Sequence, residues 1–276
     1  MRFQKRQYRS PRLLKRRRKL LYIKFGAAVV AIVTLIGLAS WLSFNKHVVI
    51  SSIEVVGNSV LTEEEVIALV EKKLGGKYLL LFSRENIFLY PRAGIKESIL
   101  FTYKRVREVD VKTTGFTSTK ITIKERSPYA LWCDKSGDCY FLDNEGYIFA
   151  NAPQFTGTVF FVYRGALSSG ASPIGRQFLT KGEFQRLDTM RLLLADSESI
   201  TDAIGNPSMM VIQDEKDVEL DFDSGGRLLF MRSGEENTLL ANVESLFNSD
   251  IFEDTDLSLL DYIDFRFGNK AYYRFK

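Results

Sequence analysis

The chain has 276 residues, enough for two modest domains. Hydrophobic residues make up 45% and charged residues 26%, a globular balance that excludes a disordered or low-complexity chain. The net charge of +4 conceals a division: 11 of the 38 Lys and Arg fall within residues 1–24, where there is no acid, leaving 27 basic against 34 acidic side chains in the remainder.

The basic tail, from Arg2, Lys5, Arg6, Arg9 and Arg12 through Lys15 to Lys19 and on to Lys24, has two readings. It could be a nucleic-acid patch, or the basic flank that keeps the near end of a first membrane span in the cytoplasm. The adjoining segment favours the flank and argues against nucleic acid. Phe25 to Phe44 is "FGAAVVAIVTLIGLASWLSF", 20 residues without a charge. As a helix rising about 1.5 Å per residue it covers roughly 30 Å, the hydrocarbon thickness of a bilayer. A cleaved signal peptide is the rival, and Leu38-Ala39-Ser40 supplies small residues near its end. The run is nonetheless longer than the ~7–15 residues of a signal core, and Trp41 stands where an aromatic interface anchor belongs. Residues 1–24 are therefore expected to be a cytoplasmic tail and residues 25–44 a single span of the cytoplasmic membrane. Residues 45–276 then lie outside it, where disulfides persist.

Beyond the span, Val48 to Val56 has strand composition and ends at the turn signal Gly57-Asn58. A helix comes next over "LTEEEVIALVEKKL". Thr62 as N-cap and Glu65 three residues on form a capping box, acids fill the first turn, and Lys72 and Lys73 sit at the negative end. Val66, Leu69, Val70 and Leu74 share one face, and Gly75-Gly76 stops the helix. Tyr78 to Phe82 is a short apolar segment. A second helix is expected from Pro91, with Ile95, Ile99 and Leu100 inward. Val106 to Lys112 and Thr119 to Arg126 alternate as strands, burying Val109/Val111 and Ile121/Ile123. Strand, helix, helix, strand, strand over residues 48–126 implies a small α+β layer.

Residues 127–276 read as mostly antiparallel strands with flanking helices. Trp132 to Phe149 is a meander turning at Lys135-Ser136-Gly137 and Asn144-Glu145-Gly146. A helix is expected within 180–195, capped by Thr180, with Phe184, Leu187 and Leu194 at helical spacing. Met209 to Gln213, Val218 to Phe222 and Arg227 to Met231 are strands, and Glu236 to Asn248 another helix. Tyr262 to Phe267 and Ala271 to Phe275 form a terminal hairpin around Gly268-Asn269.

The stretches "ISSIEVVGNSVLTEEEV", "VREVDVK…TKITIKERSPYALW", "FLDNEGYIFA" and "LDYIDFRFGNKAYYRF", placed after a basic tail and an apolar span, resemble the FtsQ/DivIB family of bacterial cell-division proteins. The resemblance covers nearly the whole chain, least well over 155–215. It implies an N-terminal transmembrane helix, a POTRA domain and a β domain, with no enzymatic activity and no cofactor. The family often has a proline before the Val-x-Val strand, where this chain has Lys104.

Catalytic chemistry finds little footing. The single histidine, His47, has no companions for a metal site and stands some 85 residues from the cysteines, so it fits neither a metal centre nor a His-dependent nucleophile. A cell-wall glycosidase would need two carboxylates. Asp143, Glu145, Asp221 and Asp223 all stand beside glycine in turns, where such residues serve local hydrogen bonding. "DFDSGG" opens like a calcium loop, but the twelfth position is Arg232. A membrane-anchored envelope hydrolase is therefore the alternative reading. A POTRA-bearing export component is another, although no outer-membrane barrel strands are present after it.

Glu125-Arg126-Ser127-Pro128 could be an acid beside a charge clamp, or a structural junction. Pro128 cannot donate to a sheet, which favours a change of direction there. By resemblance, Glu125, Arg126 and Pro128 mark the passage between the two domains. At such a junction Glu125 is expected to pair with a nearby cation. Cys133 and Cys139 enclose five turn-forming residues and would face each other across a hairpin. A structural disulfide, free thiols and a redox pair are all conceivable. The spacing is not C-x-x-C, and the compartment favours the disulfide.

In "YIDFRF", alternation places Ile263, Phe265 and Phe267 on one side and Tyr262, Asp264 and Arg266 on the other. A last strand can leave its edge open to a partner strand or can merely complete a core. The resemblance favours the open edge, with Tyr262, Ile263, Asp264, Arg266, Tyr272 and Tyr273 binding FtsB/DivIC-like and FtsL-like division proteins at the septum.

Overall fold

The computed structural model describes residues 11–155, 157, 159–167, 172–213, 216–252, 255–268 and 270–276, with side chains from residue 15 onward. Arg2, Lys5, Arg6 and Arg9 of the basic tail, and Asn269 of the expected terminal turn, lie outside the described residues. The chain forms two units. One runs up to Thr102 and includes Glu108–Lys124; the other comprises Tyr103–Arg107 and Glu125–Lys276. Tyr103–Arg107, Glu125 and Arg126, which sequence alone groups with the first domain, thus go with the second. There the Arg126 N–H donates to the Arg105 carbonyl at 2.7 Å, and the Arg105 guanidinium stands 5.2 Å from the Phe149 ring centre.

The first unit begins with α1 (Pro11–Ser43), 33 residues opened by a proline at its first position. The uncharged run and the end of the basic tail form one continuous helix. Lys15–Ser43 is long and apolar enough to cross a membrane, and its apolar side chains are bare. By length and composition this helix suits single-pass anchoring.

Next in the chain come β1 (Ser52–Val56), α2 (Glu63–Leu74), β2 (Lys77–Tyr78), β3 (Phe82–Ser83), α3 (Arg92–Thr102), β4 (Val106–Thr113) and β5 (Ser118–Glu125). The capping box forms: Thr62 Oγ1 accepts the Glu65 N–H at 3.3 Å, and Glu65 Oε2 accepts the Thr62 N–H at 3.1 Å. Val66, Val70 and Leu74 of α2 pack with Ile95 and Ile99 of α3, while Leu100 is half-buried. The sheet order is β1-β5-β4, with β1 parallel to β5. Gly57 ends β1 at φ +82, where a Cβ would stand 2.2 Å from the Ile123 carbonyl oxygen, so only glycine fits. The apolar segment 78–82 is not one strand but the β2–β3 hairpin, because Leu79 and Leu80 both take left-handed backbone.

The second unit contains β6 (Ala130–Cys133), β7 (Cys139–Leu142), β8 (Tyr147–Asn151), β9 (Val162–Gly165), β10 (Arg176–Gln177), α4 (Lys181–Asp196), α5 (Glu198–Ile204), β11 (Pro207–Ile212), β12 (Asp217–Phe222), β13 (Arg227–Met231), α6 (Glu236–Phe247), β14 (Leu260–Phe267) and β15 (Lys270–Phe275). All ten strands form one sheet in the order β10-β8-β7-β6-β9-β11-β12-β13-β14-β15. Pairing is mostly antiparallel, with β6–β9, β9–β11 and β13–β14 parallel. The three helices bury Phe184, Leu187, Leu194, Ile200, Leu239 and Val243 against the inward side chains of the strands, including Trp132, Tyr163, Leu220, Phe230 and Ile263. Thr180 stands at the N-cap of α4, but its side chain makes no capping hydrogen bond.

Candidate functional site

β13 and β14 pair in parallel (Arg227↔Tyr262, Leu228↔Ile263, Leu229↔Asp264), so a crossover must connect them, and α6 supplies it. β14 then folds back as β15, matching Tyr262 to Arg274, Ile263 to Tyr273 and Asp264 to Tyr272. β15 ends the sheet, and among the described residues no strand pairs its outer side.

The expected alternation along β14 holds only in part. Ile263 and Phe265 enter the core, but Asp264 is 6% exposed and Phe267 56% exposed. A register shift between Asp264 and Phe267 breaks the period of two, which turns Phe267 outward. Ile263 and Asp264 therefore hold the strand in place and offer no surface. Tyr262 and Arg266 are half-buried, and Tyr272 and Tyr273 are exposed.

Charge pairs organise this end of the sheet. Arg266 donates from its backbone N–H and Nε to Asp264 Oδ1 at 3.0 and 2.8 Å, and from Nη2 to Oδ2 at 2.6 Å; its Nη1 donates to Asp217. Burial alone would push the Asp264 carboxyl up, but hydrogen bonds from Arg266 outweigh it and hold the pKa below the usual value. Asp261 accepts from Arg227 Nη2 and Arg274 Nε, both at 2.7 Å, and those two guanidiniums hold its carboxyl below the ordinary range. Arg274 also stands 5.0 Å from the Tyr262 ring centre. The Tyr273 ring meets Phe252 edge-on at 5.2 Å, and Tyr272 meets Phe267 at 5.2 Å. A cavity of about 330 Å³ opens between α6 and the hairpin, lined by Asn242, Leu246, Ile251, Phe265, Ala271 and Tyr273. The strand edge thus lies beside a recess of mixed polar and apolar lining, with Ser245, Ser249 and Lys270 among its walls, an arrangement that can hydrogen-bond a partner backbone and seat its side chains.

The remaining sequence candidates lie elsewhere. Cys133 and Cys139 are register partners at the β6–β7 turn, joined by a disulfide across a Cα–Cα distance of 4.1 Å. Arg126 forms an ion pair with buried Asp143, and Pro128 is exposed just before β6. Glu145 accepts from Arg107 Nη2 at 2.7 Å and from Lys181. Asp221 is half-buried, with burial and then Glu219 raising its pKa, and Asp223 stands exposed in the β12–β13 turn. Among the described residues no group of three or more His, Cys, Asp or Glu is placed to hold a metal ion.

Reasoning from sequence missed the aromatic cluster of Phe141, Phe149, Phe155 and Phe160, with ring centres 5.3–6.1 Å apart. It borders a cavity of about 670 Å³ over β6, β7 and β9, lined by Leu131, Phe155, Phe160, Val162, Arg164 and Met209. The phenylalanine-rich composition of 141–161 was the available signal.

No protein-family model matches the chain, and no curated protein matches it significantly.

Proposed function

We propose that this chain is a membrane-anchored, non-enzymatic scaffold that captures a partner strand along β15. By its resemblance to FtsQ/DivIB proteins it would act outside the cytoplasmic membrane at the division septum. Its partners there are FtsB/DivIC-like and FtsL-like proteins, and through them it would regulate septal cell-wall synthesis. The observation that carries this reading is β15 itself, the last strand of the ten-stranded sheet, with Tyr272 and Tyr273 exposed along it. An added strand satisfies the backbone groups that such an edge leaves to water, at about 0.5–1.5 kcal/mol net per hydrogen bond. The turn carboxylates weigh against a hydrolase, since Asp143 and Glu145 are both engaged in ion pairs.

A photocrosslinking residue at Tyr272 in the full chain, expressed in dividing cells, tests the reading. It is expected to trap a division protein, with the same probe at Val60 trapping none. Ala271→Pro removes a donor from the strand, and the folded variant is expected to lose that crosslink. Undiminished capture by folded Ala271→Pro would overturn strand addition. Even distribution of a fluorescent fusion around the envelope of dividing cells would overturn the septal role.

A further inference from the structure

The β2–β3 hairpin stands against the end of α1 rather than in the core of its unit. The Ser40 hydroxyl donates to the Leu81 carbonyl. The Ser83 N–H donates to Ser43 Oγ, and Asn86 Nδ2 donates to the Ser43 carbonyl, each at 3.1 Å. Two backbone bonds, Ile87 N–H to Val48 O and Ile50 N–H to Glu85 O, both 2.8 Å, fix the next segment to the chain that leaves the helix. Ser40 lies four residues inside the uncharged run that ends at Phe44, which is about 6 Å along the helix axis. The carbonyl of Leu81 is therefore held level with the last turn of the apolar helix, not beyond it.

What the hairpin presents at that level is apolar. Leu79 and Leu80 are 86% and 87% exposed, at φ 50 and 64, a left-handed backbone that bulky residues rarely adopt. Such outliers cluster where function requires them. Phe88 is 72% exposed nearby. Between α1 and the segment after the hairpin runs a cleft of about 570 Å³ lined by Ala39, Leu42, Val48, Phe82, Phe88 and Leu89. Two cations flank the hairpin: the Lys77 ammonium 5.1 Å from the Phe44 ring centre, and the Arg84 guanidinium 5.1 Å from the Tyr78 ring centre. An apolar tip flanked by two cations, continuous with a helix of membrane-spanning length, matches a bilayer interface with anionic headgroups.

We infer that the β2–β3 hairpin is a second membrane contact: Leu79 and Leu80 insert into the lipid interface beside α1, and Phe88 lies against it. The occupant is the bilayer into which the helix itself passes. This inference rests on the reading of residues 25–44 as a span, and its test separates the two. Because Cys133 and Cys139 are paired, a single introduced cysteine can be labelled in the full chain. Leu79→Cys, Leu80→Cys, Val33→Cys and Val60→Cys would carry an environment-sensitive fluorophore in vesicles of phosphatidylethanolamine and phosphatidylglycerol. The probes at 79 and 80 are expected to emit blue-shifted in the vesicles and to be quenched by lipids spin-labelled near the headgroup, the probe at 33 to be quenched by lipids labelled near the chain end, and position 60 to be affected by neither. Quenching at 33 without quenching at 79 and 80 would overturn the inference and leave the span intact. A blue shift at 79 and 80 without lipid quenching would place them against protein, such as a second copy, and would also overturn it. No quenching at any position would remove the span and the inference together.

Discussion

Arg126, the residue just after β5, pairs with Asp143 in the β7–β8 turn, and the side chains are only 14% and 3% exposed. The same carboxylate accepts the N–H groups of Glu145 at 2.9 Å and Tyr147 at 3.0 Å, and the Arg126 guanidinium lies 4.0 Å from the Tyr147 ring centre. Asp143 thus forms its turn and neutralises a cation at once. Gly146 completes the turn at φ +77, where a Cβ would stand 2.7 Å from the Phe184 ring. Removing one partner of a buried pair strands the other charge, so Arg126→Ala is expected to lose about 3–5 kcal/mol of stability in urea unfolding. Asp143→Asn keeps an acceptor for both N–H groups and should lose less. A loss below about 1 kcal/mol for Arg126→Ala would mean that the pair behaves as a solvated surface bridge.

The Cys133–Cys139 bridge closes a short loop, so its contribution is modest. Replacing both cysteines with serine should lower stability by about 2 kcal/mol through the greater freedom of the unfolded chain. The bridge lies on β6 and β7, and several strands separate it from β15. Partner capture at β15 is expected to survive both the double substitution and reduction by thiol, as a pull-down with and without reductant would report. Loss of capture in the folded, reduced protein would tie the disulfide to binding.

Asp261 links β14 to both its neighbours, through Arg227 of β13 and Arg274 of β15. Its carboxyl is held below the ordinary value of 3.8 by hydrogen bonds from Arg227 and then Arg274. A depressed carboxyl stabilises the fold above its unfolded pKa, and that stabilisation is lost as pH falls through the folded value. Amide exchange in Leu260–Phe275 is therefore expected to quicken selectively below about pH 4, at the edge that the proposed partner would need. Asp261→Asn should show faster exchange at neutral pH and a weaker response to acid. An unchanged acid response in that variant would assign the effect to Asp264 instead, whose carboxyl is also held low by Arg266.

Sequence revealed what is local. Thr62 with Glu65, the glycine stop of α2, the opposed cysteines and the turns at Gly137 and Gly146 all rest on contacts within a few residues, and each stands as expected. The terminal hairpin was legible for the same reason. Neighbour choice in the sheet was not. Val162–Gly165 slots in parallel between β6 and β11, and nothing in four residues encodes strands that lie about 30 and 45 positions away. α5, at 7 residues, is too short to display helical period. Phe267 was misplaced because a register shift leaves no trace in an alternating pattern, and Asp264 because its burial depends on Arg266 and Asp217 arriving together. Tyr78 to Phe82 read only as a short apolar segment, because composition does not disclose the left-handed backbone at Leu79 and Leu80 that folds it into a hairpin.

Asp188 illustrates a distributed polar cluster that sequence could not assemble. Tyr163 donates its O–H to Asp188 Oδ1 at 2.7 Å, Arg191 donates from Nε and Nη2 at 2.9 and 2.7 Å, and the Tyr129 O–H donates to Oδ2. Tyr163 is fully buried, and its pKa is pushed well above the ordinary 10, first by burial and then by the Asp188 charge. A raised folded pKa means that the neutral phenol stabilises the fold below about pH 10 and that this contribution declines as pH rises further. Tyr163→Phe should cost about 1–2 kcal/mol at neutral pH, because one hydrogen bond to a buried carboxylate is lost while Tyr129 and Arg191 still satisfy it. Above about pH 10 the gap between wild type and variant is expected to narrow, since the variant has no phenol to ionise at that position. Tyr129, raised by burial and by the same carboxylate, leaves part of the alkaline loss in place. Chemical denaturation of both proteins from neutral pH to about pH 11 measures the gap, and a constant difference would show that Tyr163 does not control alkaline unfolding.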